Sequence, residues 1–249
     1  MTETSSNGQR LRDYREHYRA DAESIPDPQA LPPTRRASES RRFEALVRLL
    51  GLREGERVLD LGCGSGWLAE HCRRRGARVW AADLALRGVA GAKARFPLVD
   101  QYLVADVYHP PFAGGSFDAV VLSEVAEHLE DLDRAFGEVA RLLRPGGRLL
   151  VSVPYRETIV EHLCIHCNRP TPANAHLHSF DEDRLAGCLR RQGLELAAWV
   201  LLNNKALELA GVPRLTQVWP YWAWRGLDRL GIALLGRAAF LGMLAGRPA

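Results

Sequence analysis

The chain has 249 residues, 47% of them hydrophobic, which suits one full α/β core and leaves room for a second small unit. Its 33 basic residues against 30 acidic ones leave a net charge of +3, too little to argue for a nucleic-acid surface. The basic residues are lopsided: only Lys93 and Lys205 are lysines, so 33 − 2 = 31 are arginines, scattered among acids rather than gathered in a stripe.

The polar stretch of residues 1–20 has no apolar signal core. Five cysteines are an odd number, and Cys63 and Cys72 sit inside the nucleotide-type pattern described below. Both points suit a reducing compartment, so the expected location is the cytoplasm, soluble or peripheral to a membrane.

Residues 1–40 are expected to form an N-terminal arm or lid. Within it, residues 10–20 make a short helix with Tyr14 and Tyr18 four apart on one face. Ile25-Pro26-Asp27-Pro28 through Pro32-Pro33 reads as an extended linker. Residues 41–249 are expected to hold the domain proper: helix 42–50, strand 57–60, helix 66–75, strand 78–83, helix 86–95, strands 102–105 and 117–122, helix 131–143 and strand 148–153. The Arg73-Arg74-Arg75 run before Gly76 reads as cations in a last helical turn, closed by a glycine cap. A helix capped by Ser179 or Asp181 then runs to Gln192, followed by strands 194–202 and 238–245. Strands alternating with helices predict an α/β, doubly wound, mostly parallel sheet. In such sheets ligands bind beyond the carboxyl ends of the strands, at the switch in strand order.

The most informative stretch is Val58-Leu59-Asp60-Leu61-Gly62-Cys63-Gly64-Ser65-Gly66. A buried strand ends in an acid, and glycines at alternate positions then permit a sharp turn with no Cβ between backbone and ligand. The turn opens a helix, whose first N–H groups accept anions. The dinucleotide spacing fails, because the sixth position from Gly62 is Trp67, and no Gly-Lys-Ser/Thr follows for a P-loop. The second strand ends in Asp83, 21 positions after Gly62 (83 − 62), where an acid can accept both hydroxyls of a ribose.

Asp-Leu-Gly-Cys-Gly-Ser-Gly closely resembles the first motif of class I S-adenosylmethionine-dependent methyltransferases. Val104-Ala105-Asp106, Ser116-Phe117-Asp118-Ala119-Val120-Val121 and Arg144-Pro145-Gly146-Gly147-Arg148-Leu149 resemble its later strands and turns, so the match runs in order from residue 56 to 154. The resemblance implies a Rossmann-like seven-stranded sheet, mostly parallel, whose last strand is antiparallel. It also implies S-adenosylmethionine as cofactor. Asp60, Gly62, Cys63, Gly64 and Gly66 would hold the methionyl end and Asp83 the ribose. Asp106 would take the adenine amino group, Val107 would pack on the ring, and Ser123 would close the rim. Glu124, Glu127 and His128 fall where the family has an acid and a Glu-His-Leu run. His128 and Tyr155 are the candidates for proton transfer, against the plainer alternatives of a helix-edge histidine and a packing tyrosine.

Cys164-Ile165-His166-Cys167 places two thiols in one tight turn, a spacing that chelates zinc. An extended Ala175–Phe180 would turn His176 and His178 to the same side and complete a set of Cys164, Cys167, His176 and His178. The stretch also resembles an insertion of some class I methyltransferases, with Cys-x-x-Cys followed by Gly-His-x-x-Ser-Phe-Asp. That match covers both cysteines and His176; another histidine of the pattern falls on Pro172, so His166 and His162 stay open as fourth ligand. The zinc would be structural. A redox pair or two free thiols are the rivals.

Residues 203–237 form a Trp-rich insertion with Trp219, Tyr221, Trp222 and Trp224. Arg225, Asp228 and Arg229 share one helical face, opposite Leu227, Leu230 and Leu234. The segment 216–237 reads as a lid over a hydrophobic substrate, an interfacial membrane contact, or packing on the sheet edge.

Together these readings predict an enzyme that moves a methyl group from S-adenosylmethionine to an oxygen, nitrogen or carbon of a small-molecule acceptor, mainly by positioning. One alternative is a cofactor-binding module that regulates or scaffolds without turnover. Another is a nucleic-acid methyltransferase, which would need a basic appended domain and an Asn/Asp-Pro-Pro-Tyr/Phe motif where Ser123-Glu124-Val125-Ala126 stands. No nucleic-acid partner is expected.

Overall fold

The computed structural model describes residues 13–23, 30–165 and 168–249. The start of the first expected helix (10–12), the linker at Ile25–Pro28, and His166 and Cys167 of the expected zinc turn lie outside the described residues.

In chain order the elements are α1 (Tyr14–Glu23), α2 (Pro33–Leu50), β1 (Arg57–Leu61), α3 (Trp67–Arg73), β2 (Arg78–Asp83), α4 (Leu86–Arg95), β3 (Gln101–Val104) and β4 (Phe117–Ser123). A 3-10 turn (Ala126–His128), α5 (Leu132–Leu142), β5 (Leu143–Pro154), β6 (Glu161–Leu163) and β7 (Pro170–Pro172) follow. The chain ends in α6 (Glu182–Arg191), β8 (Glu195–Asn204), α7 (Lys205–Leu209), α8 (Val212–Leu215), α9 (Tyr221–Leu235) and β9 (Ala238–Gly246).

Among the described residues the main sheet has seven strands in the order β3-β2-β1-β4-β5-β9-β8, and β6 pairs only with β7. The pairs from β3 to β5 are parallel, whereas β9 runs antiparallel to both β5 and β8. Strand order reverses at β1, between β2 and β4, so the carboxyl ends of these strands flank the crevice where such sheets bind ligands.

Period-2 alternation divides the core into two layers. Leu59, Leu61, Val120, Leu122, Leu149 and Val151 pack with Phe136 of α5 and Leu185 of α6. Val58, Ala119, Val121 and Leu150 pack on the other face with Leu46 and Val47 of α2, Leu68 of α3 and Trp224 of α9. α5 is placed by a capping Asp131, whose side chain accepts from Arg134 N, and by buried Ala135, Phe136, Val139 and Leu142 on one stripe. Asp181 caps α6 in the same way, accepting from Arg184 N.

Several expectations are corrected. α2 begins at Pro33, not near 42, and buries Ser38 and Arg42, so residue 40 lies inside a helix and marks no boundary. The Arg144–Gly147 turn belongs to β5 as a bulge: Phe117 pairs with Leu143, and the next partners are Ala119 and Arg148.

The two expected stripes of α9 are not divided cleanly between core and solvent. Asp228 is buried and Leu227 half-buried, while Trp222, Arg229, Leu230 and Leu234 are exposed. The cause is tertiary. At the end of β8 the Asn203 and Asn204 amides need acceptors, and Asp228 supplies both, at 3.3 and 2.9 Å. Arg225 follows it inward, pairing with Asp228 at 2.6 Å and donating to Leu201 O at 2.9 Å.

Candidate functional site

The glycine turn follows β1 directly. Gly62, Gly64 and Gly66 all adopt positive φ, at 85°, 46° and 79°. A Cβ on Gly62 would lie 2.3 Å from Val125 Cγ2, so no other residue fits there. The Gly62 and Cys63 amides are tied to Ala82 O at 2.7 and 2.9 Å, which docks the turn on β2.

Asp83, at the end of β2, is buried and accepts from Gly64 N and Ala85 N, both at 2.9 Å. Burial raises its carboxyl above the ordinary range, and the backbone donors oppose that shift. Asp60 is buried as well. Burial pushes it up to about 7, the Ala69 amide opposes this, and Asp83 adds to it. One Asp60 carboxylate oxygen has no hydrogen-bond partner among the described residues, as expected of a group that waits for a ligand. The Ser123 hydroxyl is in the same state. Cys63 is buried near Asp60 and Asp83, and burial raises its thiol; Val107, just past β3, is buried too.

Asp106 sits beyond β3 and accepts from Tyr108 N at 2.9 Å. α1 lies across it. Tyr14 Oη donates to Asp106 Oδ2 at 2.8 Å, and Arg15 Nε donates to the same oxygen at 3.1 Å. Glu130 N donates to Tyr18 Oη at 2.8 Å, and the Tyr14 and Tyr108 rings meet edge-on at 5.2 Å. The arm therefore covers the third strand's end of the crevice.

A second group gathers beyond β4. Glu124, at the strand end, adopts φ 58° and is held by buried Arg42 of α2 at 3.1 Å. Arg42 is itself clamped by Glu39 at 2.7 Å and stacked 4.2 Å from the Phe240 ring centre. Burial pushes the Glu124 carboxyl up to about 7, opposed by Arg42. Glu127 is fully buried, neither of its oxygens has a hydrogen-bond partner among the described residues, and burial next to Glu124 holds its carboxyl well above the usual range.

His128 and His176 meet edge to face, with ring centres 4.7 Å apart. Burial, then the neighbouring His176, push His128 down to about 4, so its ring is neutral near pH 7. His176 Nδ1 donates to Glu157. One ligand-capable atom each from Glu127, His128 and His176 lie within 4.8 Å of one another. These donors can share a proton or close on a cation. Three non-glycine residues at positive φ, Glu124, Arg156 and Ala175, stand at or next to this cluster.

The expected zinc turn is not assembled among the described residues. Ala175 at φ 56° breaks the extended run, and the Leu177 and His178 amides both donate to Glu127 O. His176 therefore joins Glu127 and His128. His178 is occupied at both ring nitrogens: Nε2 donates to Leu129 O at 2.7 Å, and Nδ1 accepts from Arg184 at 3.2 Å. Cys164 lies at the tip of the β6–β7 hairpin, its carbonyl accepting from Asn168 N and its amide donating to Arg169 O, both at 2.9 Å. Tyr155 turns away from the cluster and donates to Glu182 of α6 at 3.1 Å.

Glu157, Arg42 and His17 were not legible as site residues. Glu157 lies in no motif, Arg42 is one arginine among many, and His17 of α1 acts on His128 only because the arm folds across the crevice.

Comparison with known proteins agrees with this geometry. A family model described as a methyltransferase domain matches residues 35–198. The chain is 38% identical over 136 residues to the methyltransferase GfsG of Streptomyces halstedii, spanning 51% of this chain and 48%, about half, of that protein. It is 36% identical over 184 residues to a ubiquinone biosynthesis O-methyltransferase of Xanthomonas oryzae pathovar oryzae, covering 71% of each chain. An S-adenosylmethionine-dependent methyltransferase structure from Mesorhizobium loti shares the fold, with a TM-score of 0.60 at 22% identity over 83% of this chain and 98% of that one. The crevice, its glycine cradle and these matches lead to one assignment: the chain belongs to the methyltransferase-domain family and is a class I S-adenosylmethionine-dependent methyltransferase.

Proposed function

We propose that the chain transfers a methyl group from S-adenosylmethionine to an oxygen of a small-molecule acceptor seated over the carboxyl end of β4. The observation that carries this reading is the His128–His176–Glu157 cluster next to an intact cofactor cradle. Asp60, Gly62, Cys63, Gly64 and Gly66 would hold the methionyl end, Asp83 the ribose, Asp106 and Val107 the adenine, and Ser123 the rim. Bound there, the sulfonium supplies an activated methyl group. The chain's own work is to hold the acceptor in line and to take its proton.

His176 is the residue suited to that proton. Glu157 accepts a hydrogen bond from Nδ1–H, which fixes the tautomer and leaves Nε2 as the base, the logic of a carboxylate-oriented histidine. His128, kept neutral by burial, does not repel the imidazolium that forms. The named O-methyltransferase relative supports an oxygen acceptor.

A second reading rests on Glu127, whose buried oxygens lack partners. With His128 and His176 it would hold a divalent cation against the acceptor oxygen, Glu157 orienting His176 from outside. A structural zinc on Cys164 and Cys167 would require His176 to leave this cluster.

The test is transfer of labelled methyl into the small-molecule fraction of a cell extract. His176→Ala is expected to lose about 10²–10⁴ in rate with unchanged affinity for S-adenosylhomocysteine. Full activity in that variant would sink both readings. Activity that survives chelation favours His176 as base, and activity restored only by added metal favours the cation. No labelled product despite tight cofactor binding would point to a scaffold.

A further inference from the structure

A helix on a protein surface ordinarily buries its apolar stripe and shows its polar one. α9 departs from this: it buries Asp228 beside Trp224 and leaves an apolar stripe outside. Its outward residues are Trp222, Gly226, Arg229, Leu230, Ala233 and Leu234, spaced 4, 3, 1, 3 and 1 apart, which makes one continuous helical face. Trp222 is 76% exposed, Leu230 55% and Leu234 74%. The inward face holds Trp224, Asp228 and Gly231. Gly231 sits so close to α7 that a Cβ there would lie 2.8 Å from Leu207 Cδ1, so the helix cannot roll to bury its leucines without breaking the Asp228 contacts. The approach to α9 adds Leu215, Val218 and Trp219, all exposed.

Charge identifies the occupant. Residues 205–249 contain only two acids, Glu208 and Asp228. Both are engaged inside the protein, Glu208 by Ser38 Oγ at 3.0 Å and Asp228 by Arg225 at 2.6 Å. Lys205, Arg214, Arg229 and Arg237 are all exposed. The outward surface of this segment is therefore apolar and tryptophan-bearing, with cationic side chains and no unengaged side-chain carboxylate. Tryptophan favours the headgroup level of a bilayer, and basic groups beside it are drawn to an anionic leaflet. No helix among the described residues is long and apolar enough to cross a membrane, so this face would lie on the bilayer and not through it.

We propose that the outer face of α9, with Leu215, Val218 and Trp219, docks the enzyme on an anionic lipid bilayer.

The full chain should sediment with vesicles of phosphatidylcholine containing about a third phosphatidylglycerol, and at least about tenfold less with phosphatidylcholine alone. Added salt should release it. The double variant Trp222→Ser/Leu234→Ser and the single variant Arg229→Glu should each weaken sedimentation about tenfold or more. Both should keep full affinity for S-adenosylhomocysteine in calorimetry, because these side chains point to solvent. Equal sedimentation with neutral vesicles, or none with either kind, overturns the proposal. So does a dimer in light scattering that Trp222→Ser/Leu234→Ser dissolves, since the face would then join two copies of the chain. These readouts need no acceptor, so their failure leaves the proposed methyl transfer standing.

Discussion

At the carboxyl ends of β1 and β2 the functional groups are neighbours in sequence as well as in space: Asp60, the glycine turn and Asp83 fall within 24 residues (83 − 60 + 1), held by bonds from backbone to backbone and to one carboxylate. Beyond β4 the cluster is assembled from separate segments. Glu127 and His128 follow the strand, Glu157 follows β5, His176 returns from beyond the β6–β7 hairpin, and α2 sends in Arg42. The first region is a shape imposed by dihedral angles and pairing; the second is a set of titratable groups whose properties come from burial and from one another. Substitutions should therefore act differently in the two places, through geometry at β1 and β2 and through protonation beyond β4.

The largest effect on stability should come from Gly62→Ala. A methyl group at φ 85° and 2.3 Å from Val125 combines backbone strain with overpacking, together about 2–4 kcal/mol in urea denaturation. A variant as stable as the parent would show that the turn is not held as tightly as β2 pairing implies. Next comes Asp83→Ala, expected to weaken S-adenosylhomocysteine binding by about 1.5–3 kcal/mol in calorimetric titration. Unchanged affinity would remove Asp83 from the cofactor site.

Glu127→Gln probes the other region, and its sign is opposite. Because burial raises the folded carboxyl, the folded state keeps a proton that the unfolded chain releases. That contribution favours folding below the ordinary glutamate range and is lost as pH rises toward the raised folded value. The glutamine removes this dependence, so the variant should gain stability over the parent at pH 8 and little at pH 5, measured by denaturation at both. A loss of stability at pH 8 would show that Glu127 is ionised and partnered in solution, as a bound cation would make it.

The smallest change should be Tyr14→Phe. Removing the bond to Asp106 should loosen α1 by about 0.5–1.5 kcal/mol, read as faster hydrogen exchange of the α1 amides. Identical exchange would mean that ring packing on Tyr108 holds the arm.

Glycine spacing and acid-ended strands announce a nucleotide crevice because they are local constraints: a left-handed turn needs glycine wherever it occurs, and alternation reveals a buried strand before its partners are known. The doubly wound, mostly parallel fold and the glycine turn after its first strand were legible on that ground. The arm-to-domain boundary was not, since α2 runs through residue 40 and is held by partners such as Glu208, 170 positions away from Ser38.

His176 shows the limit most clearly. Its spacing from Cys164 suggested a metal turn, yet a positive φ at Ala175 and two amides bonded to Glu127 O carry it to His128 instead. α9 shows the same limit on a helix: periodicity displayed a polar and an apolar stripe, but which side chains faced inward depended on the Asn203 and Asn204 amides at the end of β8. A sequence states what each segment is able to form. Which polar groups meet inside, and which apolar face is left to solvent, is decided by the demand that every buried donor find an acceptor, and that demand exists only once the segments are packed.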